Sequence, residues 1–260
     1  MELIGIRCKR TPARIPPHQL PYLWITDPGI TMSRHIQNLI SQGEHQQLDF
    51  KFEISDSRKI ARTLVAFSNT DGGKLLIGVK DNGAIAGVRS EEEFYMVEAA
   101  ASMYCKPRVE FEVKEWEING KTVLEVDIPR RGDGPFYAQD EDGRWMAYIR
   151  VKDENLLANT VLLKVWKRRR KARGSMLEFT EPESFLMHFL EREGEITMNR
   201  FRKEANIPKH IAEKVLVNLI SMNIVSLEIT AKGAIYRLRE GYDLPAEKPS
   251  KTSWKTGSRQ

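Results

Sequence analysis

The stretch that decides the fold is "AFSNTDGGKLLIGVKDNGAIAGV", residues 66–88. It starts as the end of an apolar helix, passes through a Gly-Gly step at Gly72 and Gly73, and continues as the buried strand "KLLIGVK". The tripeptide "DNG" then predicts a tight turn before the chain returns through "AIAGV". Glycines and acids in this order suit a nucleotide cradle, a metal site or a tight corner.

The spacing of the glycines argues against a nucleotide cradle. A P-loop needs a glycine, four residues and then Gly-Lys-Ser/Thr, because backbone amides wrap the phosphates and the hydroxyl reaches magnesium. Ser68 stands in place of the first glycine, and Leu75 in place of the hydroxyl residue. Gly83 and Gly87 also lack the spacing of a dinucleotide fingerprint. The paired glycines therefore favour a helix C-cap with positive φ and a close backbone approach into a central strand.

The segments around this stretch alternate between helical and strand periods. Leu48, Phe50 and Phe52 fall on one face of a short strand, and Asp49 falls on the other. This mixture predicts an α+β domain with a mixed or largely antiparallel sheet. The expected helices cover 32–42, a segment capped by Ser55 or Ser57 and stopped by 69–72, and 91–103; the expected strands cover 47–52, 74–80, 108–118, 121–129 and 146–151, with a turn at Asn119-Gly120.

Five regions are predicted along the chain. Residues 1–31 hold five of the twelve prolines and predict an irregular segment without the apolar core of a signal peptide. Met32, which opens the first periodic helix, is then a candidate translation start. The α+β domain occupies 32–160, a basic helix or linker 161–175, and a winged-helix domain 176–240. Residues 241–260 lack apolar periodicity and predict a disordered tail.

Composition limits the class of protein. The 260 residues are 41% hydrophobic, and no apolar run approaches the ~18 residues of a membrane span. Cys8 and Cys105 form no CxxC pair, so neither a disulfide framework nor a thiolate zinc site is indicated. We therefore expect a cytoplasmic protein without a membrane partner. The net charge of +5 is compatible with a polyanionic partner and does not require one.

The positive charge is concentrated in "KVWKRRRKAR", Lys164 to Arg173, which holds seven Lys or Arg and no acid. Because the chain carries +5 in all, the remainder sums to −2. Such a run is either a solvated helix end or linker, or a patch that binds phosphates. The candidate nucleic-acid contacts in it are Lys167, Arg168, Arg169 and Arg170.

The region after the basic run reads as three helices followed by a hairpin. Thr180 and Glu183 have the spacing of a capping box, Pro208 opens the third helix, and Lys232-Gly233 turns the hairpin. This order is typical of a winged helix, whose third helix enters the major groove. That helix would present Lys209, His210, Lys214 and Asn218, and the wing Lys232 and Arg237. Winged helices also serve as protein-docking or dimer modules, and Glu213 on the same helix face weighs against DNA.

Three segments together resemble one known family. They are "GEHQQLDFK" at 43–51, "IARTLVAFSNTDGGKLLIGVKDNGAIAGV" at 60–88 and "AYIRVKDENLLA" at 147–158. Residues 33–160 are similar to the Schlafen-type AlbA-like (AlbA_2) domain, which is associated with DNA binding. Asp49 replaces the usual Glu, and "RVKDEN" lacks the usual Gly-Ser after the arginine.

The resemblance implies nucleic-acid binding, to DNA or RNA. Some Schlafens are also metal-dependent endoribonucleases. The resemblance places the three carboxylates of their nuclease site at Glu44, Asp49 and Asp81 in this chain. These would hold Mg²⁺ or Mn²⁺, since hard cations take oxygen ligands. Each acid also has an ordinary alternative role. Glu44 could be a solvated loop acid, Asp49 could pair with Lys51, and Asp81 could be a turn residue. If the protein binds without cutting, Lys51, Lys74, Lys80 and Arg150 would contact phosphates or remain solvated.

Three functions are thus open from the sequence. The favoured one is a nucleic-acid-binding protein that acts as a transcriptional regulator. The second is a metal-dependent endoribonuclease, and the third is an ATP-binding signalling module. Because full-length Schlafens hold two such lobes and this chain has one, a homodimer is the expected way to build the same groove.

Overall fold

The computed structural model describes residues 31–131, 134–170 and 180–241. The predicted irregular segment before Thr31, the predicted tail after Gly241 and the end of the basic run at 171–173 lie outside the described residues. The helices are α1 (Thr31–Gln42), α2 (Ser57–Asn69), α3 (Glu92–Met103), α4 (Thr160–Arg170), α5 (Glu181–Glu193), α6 (Met198–Glu204) and α7 (Lys209–Ser221). The strands are β1 (Leu48–Lys51), β2 (Gly73–Ile77), β3 (Cys105–Lys106), β4 (Glu112–Ile118), β5 (Lys121–Ile128), β6 (Tyr137–Gln139), β7 (Trp145–Met146), β8 (Tyr148–Val151), β9 (Glu154–Leu157), β10 (Glu195–Thr197), β11 (Val225–Thr230) and β12 (Gly233–Leu238).

The main sheet has the strand order β1-β2-β5-β4 and confirms the predicted mixed sheet. The β1–β2 pair is parallel, whereas β2–β5 and β5–β4 are antiparallel. Alternate side chains of β2 point to opposite faces, so Leu75 and Ile77 join the core under α2 and α3, while Leu76 joins a second cluster with Ile36 of α1. Both faces of this strand are therefore buried, which explains its nearly continuous apolar sequence.

The paired glycines form the predicted corner between α2 and β2. Gly72 has φ +71, and a Cβ there would lie 2.8 Å from both Ile128 O and Arg130 N. A Cβ on Gly73 would lie 2.6 Å from the Phe67 ring. The backbone of this corner thus packs where no side chain fits, as predicted. The C-cap of α2 itself is Thr70 with φ −114, so the positive φ lies two residues beyond the cap, at Gly72.

Local structure differs from the sequence prediction at three places. The N-cap of α2 is Asp56, not Ser55 or Ser57, because the Asp56 carboxylate accepts a hydrogen bond from Arg58 N at 2.8 Å. The expected strand over 146–151 is divided between β7, which pairs with β6, and β8, which pairs with β9. The returning segment "AIAGV" forms only an isolated bridge between Val79 and Ile85. The chain therefore changes partner at Ala147 instead of continuing in one sheet.

The C-terminal part of the chain has its own core. Helices α5, α6 and α7 pack with the sheet β10-β12-β11, and Leu186, Phe201 and Leu216 are fully buried there. Helix α4 belongs to the same core, because Val161 and Val165 are buried in it. In the part of the chain that the structure describes, no helix is both long enough and apolar enough to cross a membrane.

Candidate nucleic-acid interface

A buried ion pair joins Asp49 of β1 to Arg150 of β8. Arg150 Nη2 lies 3.1 Å from Asp49 Oδ1, and the two residues are 2% and 4% exposed. Arg150 Nη1 donates to Asn155 Oδ1 at 3.1 Å, and its guanidinium carbon lies 5.1 Å from the centre of the Phe67 ring. The pair therefore fastens the β8–β9 hairpin to the edge strand of the main sheet.

This geometry corrects the prediction that Arg150 contacts a phosphate. Its guanidinium is buried, and Nη2 also donates to Leu48 O at 3.2 Å. A ligand would reach it only if β8 left β1. Asp49 does lie opposite Leu48 and Phe50 as the strand period predicts, but β8 covers that face, so its carboxylate is not open to solvent.

The Asn-Thr step before the glycines is also structural. Asn69 Nδ2 donates to the carbonyls of Phe136 and Tyr148, each at 2.9 Å, and Asn69 Oδ1 accepts from Phe136 N at 2.8 Å. Thr70 Oγ1 accepts from Arg150 N at 2.9 Å. These side chains hold the segments around β6 and β8 against the end of α2.

Two of the three acids of the implied nuclease site, Glu44 and Asp49, are neighbours, but the three do not form one group. Glu44 accepts a hydrogen bond from Phe50 N at 2.8 Å and lies beside Asp49. Burial raises the pKa of Glu44, and Asp49 raises it further against the opposing effect of the Phe50 amide. Asp81 lies in the exposed turn after Lys80. Within residues 31–131, 134–170 and 180–241, no three Asp, Glu, His or Cys side chains are grouped to hold a metal ion.

Lys74 is committed to acidic neighbours. Its Nζ lies 2.6 Å from Glu125 Oε1 and 2.8 Å from Asp127 Oδ2. Burial acts to lower the pKa of Lys74, but the two carboxylates outweigh it and raise the pKa. Glu125 also accepts from Trp116 Nε1 at 2.8 Å and lies 3.0 Å from His35 Nε2. A phosphate would therefore have to displace two carboxylates to reach Lys74.

The other two lysines predicted in this domain differ in availability. Lys51 Nζ lies 2.9 Å from Asp49 Oδ2 at the edge of the buried pair. Lys80 is exposed, and its Nζ lies 5.3 Å from the centre of the Phe52 ring, which is itself partly exposed. Of the two, Lys80 is the one whose charge faces solvent without an acidic partner among the residues described.

The described part of the basic run, residues 164–170, forms the last turns of α4 and lies against α7. Arg168 donates to Asn218 Oδ1, and Arg169 Nη2 donates to Asn223 Oδ1 at 3.2 Å. Lys167 and Arg170 are exposed. Residues 164–170 are therefore neither a free linker nor a wholly solvated helix end, because one side of this segment packs on the C-terminal core.

The same packing changes how much of α7 is accessible. Asn218, a predicted base contact, is half-buried and bonded to Arg168, and Glu213 is paired with Lys164 of α4. The residues predicted on this helix that stay exposed are Lys209, His210 and Lys214. At the hairpin, Lys232 is exposed, whereas Arg237 pairs with Glu195 and Glu228.

An arginine-lined cavity lies where the two parts of the chain meet. It has a volume of about 420 Å³. Its described lining contains no acid and consists of Asn69, Arg130, Arg131, Gly134, Trp166, Arg169 and Arg170. We call this set the arginine cavity. The prediction missed Arg130, Arg131 and Trp166; the basic pair in "PRRG" directly after β5 was the signal that could have indicated the first two.

Comparison with known proteins identifies one family. Residues 44–159 match the family described as Schlafen, AlbA_2, which confirms the predicted domain. The crystal structure of the DIP2311 protein from Corynebacterium diphtheriae is similar at 16% identity and a TM-score of 0.38, covering 56% of this chain and 32% of that one. The chain thus spans about a third of that protein. The N-terminal domain of a RecG-related protein from Nitrosomonas europaea is similar at 21% identity and a TM-score of 0.34, covering 50% of this chain and 95% of that domain. No curated protein matches.

Proposed function

Because residues 44–159 form a Schlafen AlbA_2 domain, we propose that the protein binds nucleic acid. Candidate contacts are exposed cations on three parts of the chain. They include Lys80 on the AlbA_2 domain, Lys167 and Arg170 on α4, and Lys214 on the C-terminal unit.

The observation that carries this proposal is the arginine cavity. Arg130 and Arg131 follow β5 of the AlbA_2 domain, whereas Arg169 and Arg170 end α4, which packs with the C-terminal core. Four guanidinium groups from two structural units lie around one concavity, and each guanidinium donates two hydrogen bonds in the geometry that a phosphate accepts. Glu110 pairs with Arg131, and no other described acid pairs with these four arginines, so a polyanion is the partner that fits the remaining positive charge.

The C-terminal unit extends the proposal to transcriptional regulation. Helices α5, α6 and α7 followed by the β11–β12 hairpin have the order of a winged helix, which supports major-groove binding. The exposed face of α7 carries Lys209, His210 and Lys214. Since α4 covers Glu213 and Asn218, we propose that only the first turns of α7 approach the bases.

The test is binding of labelled duplex DNA and structured RNA, measured by fluorescence anisotropy over a range of salt concentrations. The variant Lys80→Gln/Lys167→Gln/Lys214→Gln removes one exposed charge from each of the three parts. Its slope of log K against log salt should be smaller by about 0.9 for each phosphate that it no longer neutralises on B-DNA, and by about 0.7 on single strands.

The matched control is Lys59→Gln/Lys114→Gln/Lys203→Gln. It makes the same change in net charge at three other exposed lysines. The control should bind as the unmodified protein does. If both triple variants bound equally weakly, the loss of affinity would come from net charge alone. Binding that is absent or independent of salt for either nucleic acid would overturn the proposal.

A further inference from the structure

We propose that the arginine cavity binds a phosphomonoester carried by a nucleoside, in contrast to the phosphodiesters of a nucleic-acid backbone. The group would come from the phosphorylated end of an oligonucleotide or from a free nucleotide. For an oligonucleotide end the inference rests on the proposed function, whereas for a free nucleotide it stands independently.

The charge of the cavity suits a dianion. Arg131 pairs with Glu110, and Arg169 is bonded to Asn223 and to Ile220 O, so these two guanidinium groups already have partners. Arg130 and Arg170 are exposed, and no other described residue pairs with either of them. A phosphomonoester carries about −1.5 to −2 charges at pH 7, compared with one for each backbone phosphate. Two guanidinium groups without a partner among the described residues therefore match one terminal phosphate.

Arg130 and Arg170 are held by different elements. Arg130 follows β5 directly, and its backbone lies over the Gly72 corner, where a Cβ would come within 2.8 Å of Arg130 N. The Arg170 side chain crosses Gly134 so closely that a Cβ there would lie 2.7 Å from Arg170 Cδ. Positioning the donors before the ligand arrives lowers the entropy cost of binding.

The size and lining of the cavity suit more than a bare phosphate. Its volume of about 420 Å³ lies within the range of about 300–1,000 Å³ that is usual for small-molecule sites. Half-buried Trp166 lines the same cavity as the four arginines. Bases stack on aromatic rings, so the indole offers a surface for the nucleoside that carries the phosphate.

The experiment uses the full chain and internally labelled oligonucleotides that differ only in a terminal phosphate or hydroxyl, with AMP and adenosine as competitors. We expect phosphate-ended oligonucleotides, AMP or both to bind about tenfold more tightly than the phosphate-free compound. The preference should weaken below about pH 6, because the phosphomonoester then loses its second charge while arginine does not.

The variant Arg130→Gln/Arg170→Gln should abolish this preference. The control Arg108→Gln/Arg192→Gln removes the same charge from two exposed arginines that lie outside the cavity, and it should keep the preference. Circular dichroism of both proteins confirms that they are folded.

The outcomes separate the two proposals. A preference for phosphate-ended oligonucleotides identifies nucleic-acid ends as the source, and displacement by AMP alone identifies the free nucleotide; each supports the inference if the Arg130/Arg170 variant loses it. Equal binding of phosphate-ended and hydroxyl-ended oligonucleotides, together with no AMP binding, overturns it. Salt-dependent binding of the hydroxyl-ended oligonucleotide would in that case leave the proposed function standing.

Discussion

At the scale of single residues, four polar side chains of the AlbA_2 motif hold the fold together, and their hydrogen-bonding groups are used within the protein. Asp49, Asn69, Thr70 and Arg150 bond one another or the main chain. A buried charge needs a partner, because its desolvation costs several kcal/mol, roughly, even after relaxation. Burial therefore decides which motif arginines and acids of this domain can contact a ligand.

Replacing Arg150 by alanine should lower the free energy of unfolding by about 3–5 kcal/mol, because Asp49 would keep its charge in a buried place. Urea unfolding followed by circular dichroism measures the loss. Lys51→Met is the matched control, since Lys51 contacts the same carboxylate from a partly exposed position and should cost less than about 1 kcal/mol. If Arg150→Ala instead kept full stability and lost only nucleic-acid binding, the structural role would be wrong.

Glu125 gives the domain a predictable response to acid. Burial acts to raise the pKa of Glu125, but Lys74 and His35 outweigh it and hold the pKa below its ordinary value. The folded state thus binds the proton less readily than the unfolded chain, where the pKa is about 4.3. Stability from this group is complete above that pH and is lost as the pH falls through the folded pKa.

Glu125→Gln should therefore cost about 1–3 kcal/mol at pH 7 and progressively less in acid. Urea midpoints of both proteins, measured from pH 7 down to pH 3, provide the comparison. The curves should converge as the pH falls, since the unmodified protein then also loses the charge. A constant separation across this range would show that the ionisation of Glu125 does not contribute.

At the scale of elements, the α2–β2 corner sets the position of the central strand. Gly72 and Gly120 have the same φ of +71, but they differ in their surroundings. A Cβ on Gly72 would meet backbone atoms at 2.8 Å, whereas a Cβ on Gly120 would have nothing within 4 Å. Comparing alanine variants at Gly72 and Gly120 therefore separates the cost of the left-handed backbone conformation from the cost of a Cβ clash with the backbone.

Gly120→Ala should lower the free energy of unfolding by about 1–2 kcal/mol, the cost of a left-handed conformation. Gly72→Ala should lower it by about 1–3 kcal/mol more, since backbone atoms cannot move aside as a side chain can. Urea unfolding of the two variants tests this difference. Equal losses would mean that the close approach at the corner relaxes without cost.

At the scale of the whole molecule, two cores meet along α4. Val161 and Val165 anchor this helix in the C-terminal core, and Trp166 lines a second cleft with Asp71 and Arg150 on one side and Leu227 on the other. The basic end of α4 is thereby fixed beside the AlbA_2 domain. The position of its charges depends on both units.

Val165→Ala should loosen the C-terminal core alone, by about 2 kcal/mol for the missing methyl groups and the cavity. Hydrogen exchange measured by mass spectrometry should show faster exchange of the α7 amides and unchanged α2 amides. Val126→Ala, in the main core, should give the reverse pattern. Equal acceleration of both helices in either variant would mean that the two cores unfold as one unit.

The sequence alone was sufficient for the helices, for the four strands of the main sheet and for the glycine corner. Local periods are set by which side chains must be buried, and a Gly-Gly step after a helix has few other uses. The sequence placed Asp49 opposite Phe50, because side chains alternate along a strand. It could not show that β8 covers that face, since Arg150 lies 101 residues further along the chain.

Only the tertiary structure decided which charges stay available for a ligand. Lys74 and Arg150 read as surface cations, but strands distant in the chain supply their carboxylates. Arg130 and Arg170 read as ordinary basic residues until the fold placed them around one cavity. The reason is physical: burial and pairing depend on distances in space, and a sequence defines only the distances along its own chain.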